Sequence, residues 1–257
     1  MKAQVDTLDV LAEGGSRRGP VHAKNEDAWY ISRTGMSDGS AEGQLFAVSD
    51  GVSTARNGWF ASRLTCDRLD QFLSESPPGD TSHLVEWVSE IDWELRGNFE
   101  RAACTLSMLW IADRKASIVG VGDSSVWRLR RGEMVRLIGK PNAGKRLSAF
   151  LGMGSKVTEL LEVSQIPVKE GDVFFLMTDG ISSMVESAEI ASLWKRFKDP
   201  AEVVAGLLGQ VARAGGEDDA TVVVVEIGGA AQTAVVAALP VDAPEPPKHL
   251  IFSDEME

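Results

Sequence analysis

Two apolar runs constrain this chain more than any other feature: "LFAVSDG" at positions 45–51 and "FFLMTDG" at 174–180. Each is of strand length, and each ends in a hydroxyl residue, an aspartate and a glycine. A carboxylate therefore stands at the mouth of each hydrophobic strand, beside a glycine that lets a carbonyl or a ligand approach closely. If the two strand ends meet in the fold, Asp50 and Asp179 share one site.

Between these runs the texture changes twice. From Ala55 to Glu75, Trp59, Leu64, Leu69, Phe72 and Leu73 recur at the spacing of an amphipathic helix. "SPPGD" interrupts it, and a second helix carrying Leu84, Trp87, Val88, Ile91, Trp93 and Leu95 is expected to open near Asp80 or Thr81. From Thr105 onward, "TLSMLWIA", "ASIVGVG", "SVWRLRR" and "MVRLIG" are short Val-, Ile-, Leu- and Trp-rich runs broken by turn residues, the pattern of an antiparallel meander. After a Gly-, Lys- and Ser-containing stretch at 139–156, "VTELLEV" and "VFFLMTD" predict further strands. Asp199-Pro200 predicts a cap and first-turn proline for a helix through Arg213, and "TVVVVEI" a last strand. Residues 1–228 thus form one folded domain. The Ala-, Pro- and acid-rich stretch 229–257 has the composition of a tail, with "HLIF" its one segment able to dock.

The formal net charge of −12 repels phosphate backbones, so nucleic acid is not an expected partner, and a divalent cation is. No run approaches the roughly 20 apolar residues of a membrane helix, and the first residues lack a secretory signal. Cys66 and Cys104, expected to be buried thiols, suit a reducing compartment. A cytoplasmic protein without a membrane partner is the expectation.

Two more acid clusters flank predicted strands: Glu26 and Asp27 in "NEDAW", and Glu217, Asp218 and Asp219 in "GGEDDATVVVV". Carboxylates crowded in this way repel one another unless a hard cation neutralises them. Ligation by oxygen alone points to Mg²⁺ or Mn²⁺, because His22, His83, His249 and the two cysteines show no zinc spacing. Two such ions could activate a bridging water for phosphoryl hydrolysis.

Taken in order, "GPVHAKNEDA", "AVSDGV", "ACTL", "VGDSSVWRL", "FFLMTDGI" and "EDDATVVVV" resemble the motifs of the PP2C family of metal-dependent protein phosphatases, over residues 14–227. The resemblance implies an α+β fold, a four-layer α-β-β-α sandwich with two central antiparallel sheets. It implies hydrolysis of phosphoserine and phosphothreonine in proteins, targets of a serine/threonine kinase, by a metal-bridging water or hydroxide. Carried over position by position, Glu26, Asp50 and the Gly51 carbonyl are expected to hold metal, with Asp50 bridging two Mn²⁺ or Mg²⁺ ions. Asp179 and Asp218 complete the second ion's ligands, Asp123 joins Asp179 at a weaker third ion, and Asp27 orients a metal-bound water.

The chain departs from the family pattern at four places. His22 stands where the family carries an arginine that grips substrate phosphate in a bidentate fork, which removes a fixed charge. Arg17, Arg18 and Lys24 are alternative phosphate contacts. Val52 stands where some relatives have a histidine proposed to protonate the leaving group. Asp219 replaces an asparagine, and Ser125 an arginine that is frequent there.

Three other readings compete. A phosphoprotein-binding module that kept fold and metals but lost turnover is motivated by His22. "GKPNAGKR" at 139–146 nearly spells a P-loop but has Arg146 where a magnesium-binding hydroxyl belongs, and its neighbours do not alternate strand with helix. In the phosphatase reading Lys140, Lys145 and Arg146 lie in a variable flap able to attract acidic substrates, or form a solvated basic loop. "LGMGSK" at 151–156 is a weak dinucleotide signal.

Overall fold

The computed structural model of the chain describes residues 8–32, 43–76, 81–98, 101–139, 147–154 and 156–228. The stretch 229–257, His249 included, and the loop cations Lys140, Lys145 and Arg146 lie outside the described residues.

In chain order the elements are β1 (Val10–Arg17), β2 (Asp27–Ile31), β3 (Gln44–Asp50), α1 (Gly58–Asp67), α2 (Leu69–Glu75), α3 (Thr81–Asn98), β4 (Leu106–Ala112), β5 (Lys115–Val121), β6 (Ser125–Arg130), β7 (Glu133–Ile138), β8 (Glu162–Pro167), β9 (Val173–Met177), α4 (Asp179–Ser182), α5 (Ser187–Phe197), α6 (Pro200–Arg213) and β10 (Ala220–Ile227). Two five-stranded sheets result, in the orders β1-β10-β9-β6-β7 and β2-β3-β4-β5-β8, with every pairing antiparallel.

The central strands β3, β4, β9 and β10 are mostly apolar because each buries both faces. Successive side chains of a strand point to opposite faces. On β3, Phe46 and Val48 join Leu109 of β4 and Phe174, Leu176, Val223 and Val225 of the other sheet in the core between the sheets. Leu45 and Ala47 point the other way, against Leu69, Phe72, Leu84, Trp87 and Ile91 of α2 and α3. On the far side Val173, Phe175 and Met177 of β9 and Val222 and Val224 of β10 pack under Ile190 of α5 and Val203, Leu207 and Val211 of α6. Three cores separate four layers, which is the expected α-β-β-α sandwich.

Local signals set the starts of α5 and α6. Asp199 caps α6 by accepting the Glu202 amide at 3.0 Å, with Pro200 in the first turn. The predicted helix over 55–75 divides at Arg68 into α1 and α2. Cys66 and Cys104 are free and buried, and burial pushes the Cys104 thiol up to about 11. No helix among the described residues is long and apolar enough to cross a membrane.

Two expectations need correction, and the two rival readings set aside above gain nothing from the fold. The four runs after Thr105 are two hairpins in different sheets, β4-β5 in one and β6-β7 in the other, so the chain crosses the sandwich after Val121. "VTELLEV" begins in turn, and β8 starts only at Glu162. Among the described residues beyond β7 the next element is β8, where a P-loop would feed a helix. The Gly152 and Gly154 amides donate to the Asp92 carboxylate at 2.8 and 3.1 Å, a tie between loop and α3 in place of a dinucleotide turn.

Candidate active site

The antiparallel register brings the acids to one end of the sandwich. Asp50, last residue of β3, lies opposite Asp27, first residue of β2. In the other sheet Met177, at the end of β9, pairs with Val222 near the start of β10, so Asp179 emerges beside the segment carrying Asp218 and Asp219. Asp123 lies in the turn where the chain crosses from β5 to β6.

The hydroxyls that precede each aspartate fix these strand ends. Ser49 Oγ donates to the Thr105 carbonyl at 2.6 Å, while Thr105 Oγ1 accepts the Asp50 amide at 3.0 Å and shares a 2.6 Å hydrogen bond with Ser124 Oγ. In the other run Thr178 Oγ1 donates to Asp27 Oδ2 and accepts the Thr221 amide, both at 3.0 Å. Gly180 is required by crowding: a Cβ there would lie 1.9 Å from the Asp219 carbonyl oxygen.

Electrostatics mark the same residues. Burial, then the charges of Asp27, Asp179, Asp218 and Asp123, hold the Asp50 carboxyl well above the ordinary carboxylate range. Asp27 is pushed up to about 8 by burial, with Asp219 and Asp179 adding to it against hydrogen bonds from Thr221 and Thr178. Asp179 rises to about 6 through burial and the charges of Asp123 and Asp218, opposed by a hydrogen bond with Asp50. Glu26 is raised mainly by burial. Three buried carboxylate oxygens, Glu26 Oε2, Asp27 Oδ1 and Asp179 Oδ1, have no hydrogen-bond partner. Among the described residues no group of three or more His, Cys, Asp or Glu side chains is arranged as it stands to hold a metal ion.

His22 lies beside this set. Its Nδ1 is 2.9 Å from Asp219 Oδ2 and 3.6 Å from Asp218 Oδ1. Partial burial disfavours the charged imidazole, but Asp219, Asp218 and Glu26 outweigh it and raise its pKa. The alternative phosphate contacts are engaged otherwise: Arg17 donates to the Gly216 carbonyl at 3.3 Å, Arg18 to the His22 carbonyl, and Lys24 Nζ lies 3.9 Å over the Trp59 ring. Val52 begins the loop into α1, its amide donating to the Ala103 carbonyl.

Sequence reasoning missed the central place of Asp219. Its side chain is 2% exposed whereas that of Asp218 is 51% exposed, and it accepts hydrogen bonds from the backbone on either side of His22. The adjacent pair reads alike in sequence; only the sharp difference in burial separates them.

The model of the protein phosphatase 2C family matches residues 15–214, more than half of the chain. The chain belongs to the protein phosphatase 2C family. It is 26% identical over 247 residues to the serine/threonine protein phosphatase PstP of Mycobacterium tuberculosis, covering 86% of this chain and 46% of that protein. It thus spans less than half the length of that relative. With the serine/threonine phosphatase stp of Listeria innocua it shares 24% identity over 246 residues, 84% of this chain and 95% of that one. Among solved structures, the PstP catalytic domain in complex with two manganese ions superposes with a TM-score of 0.68 at 24% identity, covering 86% of this chain and 99% of that chain. The S. agalactiae serine/threonine phosphatase gives 0.73 at 19% identity, with 85% and 99% covered. These likenesses show the fold.

Proposed function

We propose that this protein is a metal-dependent phosphatase acting on phosphoserine or phosphothreonine in proteins. The observation that carries the reading is the set of three orphaned, buried carboxylate oxygens, on Glu26, Asp27 and Asp179, gathered with Asp50 at one end of the two sheets. A buried carboxylate without a donor is costly, and a hard divalent cation is the partner such oxygens fit. The manganese in the PstP structure and the names of the curated relatives support the same reading.

Glu26, Asp50 and the Gly51 carbonyl would hold one Mn²⁺ or Mg²⁺ ion, and Asp50, Asp179 and Asp218 a second, with Asp123 beside Asp179 for a weaker third. Bound there, the ions supply Lewis-acid activation of water and neutralise charge on the phosphoryl group. The chain's own contribution is placement. Asp50 and Asp179 bring charge from the two sheets to the same end of the sandwich, and the backbone of each strand end is tied down by hydroxyls. Asp27, held by Thr178, offers a second oxygen toward the site and orients what binds there. His22, at the edge of the carboxylates, contacts the substrate phosphate. The free buried thiols of Cys66 and Cys104 suit the cytoplasm.

The experiment is phosphate release from a phosphothreonine peptide by the purified protein, with Mn²⁺ and with chelator. Turnover present with Mn²⁺ and abolished by chelator is the expected result. Binding of Mn²⁺ and of phosphopeptides without any turnover would overturn it in favour of a phosphoprotein-binding module.

A further inference from the structure

The residues from Arg18 to Glu26 form a loop that one side chain 200 positions away holds together. Asp219 Oδ1 accepts the Gly19 amide at 2.6 Å, and Asp219 Oδ2 accepts both the Glu26 amide at 2.7 Å and His22 Nδ1 at 2.9 Å. The loop lies flat on the segment before β10: a Cβ at Gly19 would be 2.2 Å from the Glu217 carbonyl oxygen. Arg18 adds to this by donating to the His22 carbonyl. Backbone and ring of His22 are thus both fixed.

A carboxylate only accepts, so the His22 nitrogen that faces it must carry a hydrogen. That settles which nitrogen is which: Nδ1 is committed to Asp219, and Nε2 is the one left for a ligand. The side chain is 19% exposed and stands within the electrostatic reach of Glu26 and Asp218, at the edge of the proposed metal ligands. Building on the phosphatase reading, we infer that Asp219 is a positioning residue for phosphate: by holding His22 through Nδ1 it presents Nε2 to the phosphate monoester of the substrate.

Asp219→Asn separates this role from simple support of the loop. The amide keeps one acceptor and turns the other into a donor. If the NH₂ takes the Oδ2 place, it confronts the Glu26 amide and drives His22 to its other tautomer; if it takes the Oδ1 place, Gly19 is released.

The first measurement needs no variant. A long-range ¹H–¹⁵N spectrum of the Mg²⁺-loaded protein contains three histidines, and His22→Ala identifies the signal. A hydrogen on Nδ1, with an Nε2 resonance that moves on addition of inorganic phosphate, is expected. A hydrogen on Nε2 alone, or an Nε2 signal that saturating phosphate leaves in place, overturns the inference.

In turnover, Asp219→Asn is expected to raise KM for a phosphothreonine peptide about tenfold, the worth of a hydrogen bond to a charged group, with a smaller change in kcat. In a His22→Ala background the same substitution should add less than about twofold, because its effect passes through the imidazole. Mg²⁺ affinity, measured by calorimetry, should fall much less than KM rises. An equal loss of Mg²⁺ affinity would mean that Asp219 acts through Glu26, and an undiminished effect in the His22→Ala background would mean that it does not act through His22; either overturns the inference. Absence of wild-type turnover would count against the phosphatase reading alone, since the tautomer and the phosphate-induced shift are read without it.

Discussion

A carboxylate stands immediately before the first residue of strand β9 and another two residues after its last, and their surroundings are opposite. Asp172, fully buried, receives Arg130 Nε at 2.5 Å, Arg130 Nη2 at 2.6 Å and the Lys169 amide at 2.8 Å. Asp179, at the other end, has an oxygen with no donor and is surrounded by further acids. Asp92, 4% exposed, resembles the first case, with two glycine amides on one oxygen. Burial of a carboxylate therefore does not mark a site. The supply of donors does: where the protein itself satisfies the charge the acid is structural, and where it leaves oxygens bare beside like charges a ligand must complete them.

Substitutions at the two ends should break in different ways. Asp179→Asn is expected to lower turnover about a thousandfold, the upper range for loss of one group that stabilises transition-state charge, while the melting temperature of the chelated protein holds or rises as a repelling charge disappears. A folded variant with near wild-type turnover would remove Asp179 from the site. Asp172→Ala should do the reverse. It strands the Arg130 guanidinium and costs about 3 kcal/mol, at the low end for breaking a buried pair because Arg130 keeps some solvent. A large fall in denaturation midpoint with turnover per folded molecule preserved is the expected result. Equal loss of both would mean that the two ends of β9 are not separable.

Metal should act on one end only. At about 100 times its Kd, Mn²⁺ adds about 2.7 kcal/mol of stability. In chelator the sign of the pH dependence follows from Asp27 at about 8 and Asp179 at about 6, both raised from 3.8. The native state then binds protons more tightly than the unfolded chain. The stability these acids contribute is complete below the unfolded value and is lost as pH rises through 6 and 8. The melting temperature of the chelated protein should fall between pH 5 and 8, and Mn²⁺ should remove that fall. A chelated protein that gains stability across this window would contradict the crowding of the acids.

How much of this was legible in the sequence depended on whether a signal is local. The Asp-Gly strand ends, the Asp199-Pro200 cap and the last strand stand where their residues indicate, because cap chemistry and apolar runs act over a few positions. The crossing between β5 and β6 was not legible, since a strand's own pattern does not say which sheet it joins. β1 escaped notice because Gly14 and Gly15 dilute its strand signal; the Trp29 ring packs against the face that Gly14 leaves bare. α5 had a usable signal, Ile190, Leu193, Trp194 and Phe197 at helical spacing with a Glu186–Glu189 capping box, but glutamate is an uncommon cap residue and hid the start. The acids that the fold brings to one end of the sandwich could be named from their motifs. The partnership of His22 with Asp219 could not, because it joins residues 197 positions apart.

The smallest change sharpens the contrast most. Arg130→Lys keeps the positive charge opposite Asp172 but replaces a planar fork with a single ammonium, which cannot reproduce both the Nε and Nη2 contacts together with the 3.1 Å bond from Nη2 to the Pro167 carbonyl. One charge-assisted hydrogen bond is lost while the ion pair survives, so the expected cost is about 1 kcal/mol, read as a shift in denaturant midpoint with unchanged slope. If charge alone satisfied Asp172, the lysine variant would be as stable as the parent. The satisfied end of β9 would then differ from the Asp179 end only in net charge, and donor geometry would no longer separate a structural acid from one that waits for a ligand.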